Sequence, residues 1–401
     1  MLATLKTYPA TLNLLLCASL VLTLARAVTL PYLVIYLSGN FDLGIADIGL
    51  VIGSTLIIGS LLSLYGGFLV DRIRSYPLIL TCCAVFTLAF LSAYGASQLW
   101  LFYLCLVLVN LAYAVIDIAV KSGFGSLLPV DQRSEAFSIK YTLTNIGYAI
   151  GPFLGAGVAS LGISLPFLLS AGLGAGYFLI YCVWGDKNLA TVETGQPPTP
   201  FLAVGKVLLR DYRLVCFTLG GLLSAVVFGQ FTAYLSQYLM VTTTPESTYR
   251  IISTVVATNA LMVISLQYSL GKRISRRHLN AWLAAGLSLF IVGLGGFALS
   301  TTLVVWVIAM AIFTLGEIIV FPAEYMFIDS IAPNHLRGMY YAAQNLGNIG
   351  AALGPVLCGL VLATQPAQYI FYMLMLFIVA GGLFYWLGGR IASDGNLEPL
   401  R

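Results

Sequence analysis

The chain has 401 residues, of which 60% are hydrophobic and 8% charged, with a formal net charge of +4. Soluble domains carry about 25% charged residues, so this composition excludes an ordinary soluble domain and indicates a protein built for a bilayer. Apolar stretches recur from end to end, each long enough to cross a hydrocarbon core of about 30 Å, and about twelve can be read, centred near residues 25, 58, 86, 112, 148, 175, 226, 260, 289, 316, 350 and 378. The short alternating segments of a membrane β-barrel are missing. The expected class is an all-α membrane protein.

The first span follows directly on Met1 to Ala10, without the short apolar core and small-residue cleavage site of a removable signal peptide. It carries Arg26, then Tyr32 and Tyr36. After the second span comes "GGFLVDRIRSYP", Gly66 to Pro77, with Asp71 and Arg72 side by side. The fourth span holds Tyr113 and, at i and i+4, Asp117 and Lys121, a spacing that pairs opposite charges on one helix face. "LPVDQR", Leu128 to Arg133, leads into the fifth span, which carries Lys140 and then "NIGYAIGPFLGAGVA". There Gly147, Gly151 and Gly155 form a small-residue stripe that lets another helix approach closely. Pro152 leaves the carbonyl of Tyr148 without its helical donor, so the helix is predicted to bend.

The longest polar interruption runs from Gly185 to Arg213 and contains Pro197, Pro198 and Pro200. It divides the chain into residues 1–186, a six-helix bundle, a linker at 187–210, and a second six-helix bundle at 211–401. The second bundle repeats the first. "APNHLR", Ala332 to Arg337, answers "LPVDQR", and "NIGAALGPVLCGLV" brings Gly354 and Pro355 where Gly151 and Pro152 stand. A repeat of about 200 residues means that one six-helix unit is used twice. Paired bundles with irregular helices at matching positions mark secondary transporters.

Lys and Arg placement sets orientation. In a twelve-span arrangement, Lys6, Arg72, Arg74, Arg133, Lys187, Lys206, Arg210, Arg213, Lys272, Arg273, Arg276, Arg277, Arg337, Arg390 and Arg401 share one side, and Arg250 alone takes the other. Both termini are therefore expected in the cytoplasm. The positive charge follows from this asymmetry and implies no nucleic-acid partner. The seven cysteines lie in apolar segments without metal-ligand spacing and read as small core residues. His278 and His335 fall in short loops.

The pattern from Gly147 to Ala156 resembles the fifth-helix motif of drug:proton antiporters in the major facilitator superfamily. Gly67, Leu69, Asp71, Arg72 and Pro77 resemble the superfamily's loop motif between the second and third spans. Arg74 stands in place of that motif's second glycine, and Ser75-Tyr76 in place of its basic run. The resemblance implies two six-helix bundles with spans one, four, seven and ten lining a central cavity. It also implies that Asp71 latches the bundles together, as a carboxylate near a facing helix N-terminus. The matching loop of the second half has Gly271 where the acid would be, so no second latch is expected there.

Ionisable groups at membrane depth are costly and usually serve a purpose. Here they are Arg26, Asp117, Lys121, Lys140, Glu317 and Glu324. Glu317 and Glu324 are seven residues apart, within about 20° on one helix face and roughly 10 Å along it. Burial disfavours a charged carboxyl and a nearby cation favours it, so an acid moving between those settings loads and releases a proton. Glu317 is the first candidate carrier, with Glu324 and Asp117 beside it as proton-coupling residues. Arg26 is the counter-charge of either Glu317 or Asp117.

Tyr32, Tyr36, Tyr113, Gln230, Tyr234, Gln237, Tyr238, Gln344 and Asn345 are candidate cavity residues, apolar surfaces with a few hydrogen-bonding handles. The expected function is proton-driven export of small amphipathic compounds from the bacterial inner membrane by a monomer needing no cofactor or metal. The rival is a proton-coupled symporter, or an exporter of one nutrient, sugar or peptide-like metabolite. An enzyme is not expected, since no His lies within a span; a passive channel would not need the repeated helix motif.

Overall fold

The computed structural model describes residues 2–187 and 200–390, all as helices and short connections. Most of the expected linker, residues 188–199, and Arg401 lie outside the described residues. Helix is the physical consequence of the composition: in hydrocarbon, a segment has to satisfy its own backbone N–H and C=O groups.

Two compact units emerge. The first comprises Met1–Thr194 with Pro333–Asn345. It holds α1 (Leu2–Thr7), α2 (Ala10–Phe41), α3 (Ile45–Val70), α4 (Ser75–Tyr94), α5 (Leu99–Leu127), α6 (Val130–Ala159) and α7 (Leu165–Trp184). The second comprises Gly195–Ala332 with Leu346–Arg401. It holds α8 (Phe201–Arg210), α9 (Tyr212–Phe228), α10 (Phe231–Thr242), α11 (Pro245–Gly271), α12 (Leu279–Ala298) and α13 (Leu303–Ile331). The short helix α14 (Arg337–Gln344) belongs to the first unit, and α15 (Gly347–Thr364) and α16 (Tyr369–Arg390) to the second.

Among the described residues, 10 helices are long and apolar enough to cross a membrane, or 11 if the bent pair α8 and α9, at 84°, counts as one span. Helix α6 is not among them despite its 30 residues. Its first turns carry Asp131, Arg133, Glu135 and Lys140.

The glycine stripes explain the closest packing in each unit. In the first, a side chain at Gly151 would collide with Ala27, and one at Gly155 with the carbonyl of Val28, so α6 lies against the backbone of α2. In the second, Gly350 and Gly354 stand against the carbonyls of Leu222 and Val226, so α15 lies against α9 in the same way. The repeat in sequence is a repeat in packing.

Breaks in the helices lie outside the two Gly-Pro segments. Helices α6 and α15 run without interruption through Pro152 and Pro355. A proline removes one ladder bond, and the flanking turns keep theirs. The interruptions lie instead at Gly229–Gln230, between α9 and α10, and at Asn345–Leu346, between α14 and α15. Gly229 sits against Ala351 of α15, where a side chain would not fit.

Helix α13 shows how a proline is accommodated at depth. Pro322 offers no N–H to the carbonyl of Ile318. That carbonyl accepts instead from Nε2 of the fully buried Gln267 on α11, at 3.2 Å.

Candidate functional site

In the first unit the buried charges form one cluster. Asp117 of α5 receives Lys121, one turn along the same helix, at 2.8 Å and Lys140 of α6 at 2.5 Å. The lysine side chains are 3% and 4% exposed, so both ammonium groups have left water. Lys121 also donates to Oδ1 of Asn345 at 3.4 Å and lies 5.8 Å from the centre of the Tyr341 ring. The carboxylate of Asp117 thus ties α5 to α6, and Lys121 extends the tie to the end of α14. Breaking a buried ion pair by removing one partner costs far more than the pair itself contributes.

Within its own unit, Arg26 is held by neutral groups. Its Nη2 donates to Oδ1 of Asn110 at 2.9 Å, and its guanidinium lies 4.2 Å over the ring of Tyr113. The hydroxyl of Tyr113 is in turn 2.9 Å from Oγ1 of Thr23. An amide oxygen and a ring face, rather than Asp117, receive this half-buried cation. Neutral partners leave its charge in place.

Asp71 caps a helix. Its Oδ1 accepts from the backbone N–H of Gly338 at 2.6 Å and its Oδ2 from that of Met339 at 2.9 Å, in the first turn of α14. The exposed N–H groups and positive dipole end of a helix favour a carboxylate there. Gly67 and Gly338 make the approach possible, because a side chain on either would run into the other's backbone carbonyl. Burial pushes the Asp71 carboxyl up to about 7, against the downward pull of the Met339 and Gly338 N–H groups and of Arg72 and Arg337. The guanidinium of Arg72 lies 4.1 Å over the ring of Phe68. At the end of α5, Arg133 donates to the carbonyls of Gly125 and Leu128 at 2.7 and 3.0 Å. Arg337, its counterpart in the repeat, also lies against Gly125. Two arginines there complement the negative end of the helix.

In the second unit, Glu317 and Glu324 both lie buried on α13, 7% and 8% exposed. Oε2 of Glu317 accepts from Nδ2 of Asn259 on α11 at 2.7 Å, and Asn259 also donates to Oγ1 of Thr314 at 3.1 Å. Oε1 of Glu324 accepts from the hydroxyl of Tyr385 on α16. The two acids therefore rest on different neighbouring helices.

The expected cavity residues divide. Tyr36 stacks on Phe102 and meets Phe167 edge-on, and Tyr238 meets Phe371 edge-on; both belong to aromatic cores. Bulky rings with one weakly engaged hydroxyl pack as readily as they line a cavity. Tyr32 packs against Gly155. Asn345 is engaged by Lys121, as above. Gln230 stands at the N-cap position of α10, at the helix interruption, with no side-chain hydrogen bond to the helix. One and two turns on, the buried hydroxyl of Tyr234 and Oε1 of Gln237 have no hydrogen-bond partner, and neither does Oε1 of Gln344 in the first unit. Such orphans are rare in native structures and ask for an explanation.

Sequence reasoning missed the groups that receive the two acids of α13, Asn259 and Tyr385, and the donor to the Ile318 carbonyl, Gln267. Asn259 and Gln267 carry a faint signal as amides inside an apolar span. A tyrosine carries none.

Apolar helices holding cations and carboxylates in paired, hydrogen-bonded positions at depth define a polytopic membrane protein of the transporter class. The chain belongs to the Major Facilitator Superfamily, which it matches over residues 15–348. It is 38% identical to the MFS-type transporter YdeE of Escherichia coli (strain K12), with 95% of this chain and 96% of that one covered. It is 25% identical to a Na(+), Li(+), K(+)/H(+) antiporter of Planococcus maritimus, over 89% of this chain and 91% of that one. Among solved structures, the Major Facilitator Superfamily transporter FucP in the outward conformation matches with a TM-score of 0.76 at 14% identity, over 96% of this chain and 100% of that one. The last likeness is one of fold. The protein is thus a multi-pass membrane transporter and not an enzyme.

Proposed function

We propose that the protein exports small amphipathic compounds in exchange for protons by alternating access, with Glu317 as the proton carrier. The observation that carries this reading is a carboxyl buried mid-helix against the amide of Asn259. An amide offers both a donor and an acceptor, so it can hydrogen-bond the charged acid through its NH2 and the protonated acid through its oxygen. Glu317 can then change charge without losing its partner. Glu324, with the hydroxyl of Tyr385, serves as a second proton site on the same helix. A relative whose name is that of a cation/H(+) antiporter supports exchange.

Tyr234 and Gln237 supply polar handles for substrate on α10, and Arg26 with Tyr113 a cationic, aromatic one on α2 and α5. Asp71 stabilises one state of the transport cycle through α14. The molecule works as a monomer in the bacterial inner membrane, with both termini and the linker at residues 187–210 in the cytoplasm. A pH gradient of one unit supplies about 1.4 kcal/mol per proton, and 100 mV adds about 2.3 kcal/mol per net charge moved. That suffices to concentrate substrate severalfold.

The test is proton movement in proteoliposomes under an imposed pH gradient, across a panel of amphipathic compounds, wild type beside Glu317→Gln. Substrate-triggered collapse of the gradient in the wild type and its loss in the variant is the expected result. Substrate flux that ignores both the gradient and the substitution would make the protein a facilitator.

A further inference from the structure

At one end of the second unit a basic cavity of about 570 Å³ is lined by Arg213, Arg277, His278 and Asn280, with Phe327 and Ser330 behind them. Among the described residues no carboxylate contributes to its wall. Nε of Arg213 is buried with no hydrogen-bond partner, and its guanidinium lies 5.7 Å from the centre of the Phe327 ring. Arg277 and His278 are exposed. Asn280 also belongs to a second cavity of about 400 Å³, a groove between α12 and α16 walled by Leu283, Leu287, Ile291, Ile378, Leu383 and Trp386. Arg390 stacks on Trp386 at 4.1 Å and adds a further cation near the mouth. Along α12 the groove runs from Asn280 to Ile291, roughly 16 Å at the helical rise of about 1.5 Å per residue. Half of a hydrocarbon core is about 15 Å.

We infer that this pair of cavities is a binding site for an anionic phospholipid, its phosphate held by Arg213 and Arg277 and one acyl chain lying in the α12–α16 groove. Three features converge on that ligand and on no soluble anion. The basic cavity and the apolar groove are neighbours that share Asn280 in their walls. The groove has the depth of one leaflet. A guanidinium nitrogen is desolvated without an acceptor, which a phosphate oxygen would supply. Basic pockets between transmembrane helices at the membrane surface are a recurrent form of anionic-lipid recognition. The site stands apart from Glu317 and its neighbours, and transport chemistry plays no part in the inference.

The experiment is thermal unfolding of the full chain in detergent, titrated with phosphatidylglycerol, with phosphatidylcholine of the same chains, and with glycerol phosphate. Phosphatidylglycerol is expected to raise the unfolding temperature in a saturable way, and the other two to have little effect. Arg277→Gln, at an exposed position that leaves the fold intact, should weaken the phosphatidylglycerol effect at least tenfold. Ser288→Trp, which fills the groove and leaves the cations in place, should weaken it as much. Equal effects of the two phospholipids would overturn the proposal, as would an unchanged response in either variant. An equal effect of glycerol phosphate would replace it with a site for a free anion.

Discussion

Asp71 is the residue whose chemistry reaches furthest beyond itself. Docked on α14 it keeps its proton up to about 7, whereas an ordinary aspartyl group loses it near 3.8. Docking therefore takes up a proton: the contact is strongest below 3.8 and weakens as pH rises through 7. Spin labels at Arg74→Cys and Asn334→Cys, read by pulsed electron resonance, should show a short-distance population that is larger at pH 5.5 than at pH 8.5. Asp71→Asn should flatten that dependence; a pH response that survives the substitution would move the titration to another group. Asp117 poses the opposite case, a carboxylate that two buried lysines require. Replacing it by Asn leaves both ammonium groups without their counter-charge, at an expected cost of about 3–5 kcal/mol. Lys140→Gln should cost less, since Asp117 retains Lys121. Melting temperatures of the two variants in one detergent decide the order.

At the scale of the element, the pairing of Pro322 with Gln267 is the clearest case of one helix repairing another. Gln267→Leu should cost about 1–3 kcal/mol, the penalty of a buried acceptor left unsatisfied. Pro322→Ala returns an N–H to the carbonyl of Ile318, so in that background the same Gln267→Leu substitution should cost less. A coupling of at least about 0.5 kcal/mol in the double-mutant cycle is expected, and strict additivity would show that the two residues act independently. This pairing also marks the limit of what the sequence discloses. The apolar helices, the doubled Gly-Pro stripe and the ionisable groups at depth could all be read directly, because each departs from a strong background. Partners could not: whether Arg26 meets Asn110, Asp117 or Glu317 depends on which turns of which helices face one another, and no one-dimensional period records that. The interruptions at Gly229–Gln230 and Asn345–Leu346 escaped for a related reason. Prolines announce themselves in a sequence, whereas a glycine placed where another helix crosses looks like any other glycine.

For the molecule as a whole, the distribution of cations between the two ends of the helices carries the remaining prediction. The connections at 42–44, 95–98, 160–164, 243–244, 299–302 and 365–368 contain no Lys or Arg. The alternate ones hold Arg72 and Arg74 after α3, Lys272 and Arg273 after α11, and Arg337 at the start of α14. Arg133 stands one turn into α6 and Lys187 three residues beyond α7, at that same set of ends. Short loops rich in Lys and Arg stay in the cytoplasm during insertion. Both termini should then face the cytoplasm, with the cation-free loops outside. A fluorescent protein fused after Arg401 should fluoresce, and alkaline phosphatase fused there should stay inactive. Phosphatase fused within 243–244 or 365–368 should be active, because it folds only once exported. An active phosphatase at the C-terminus would reverse the orientation. It would also move the basic lipid cavity to the outer surface, where the phosphatidylglycerol titration would still find it but cytoplasmic anionic lipid would not.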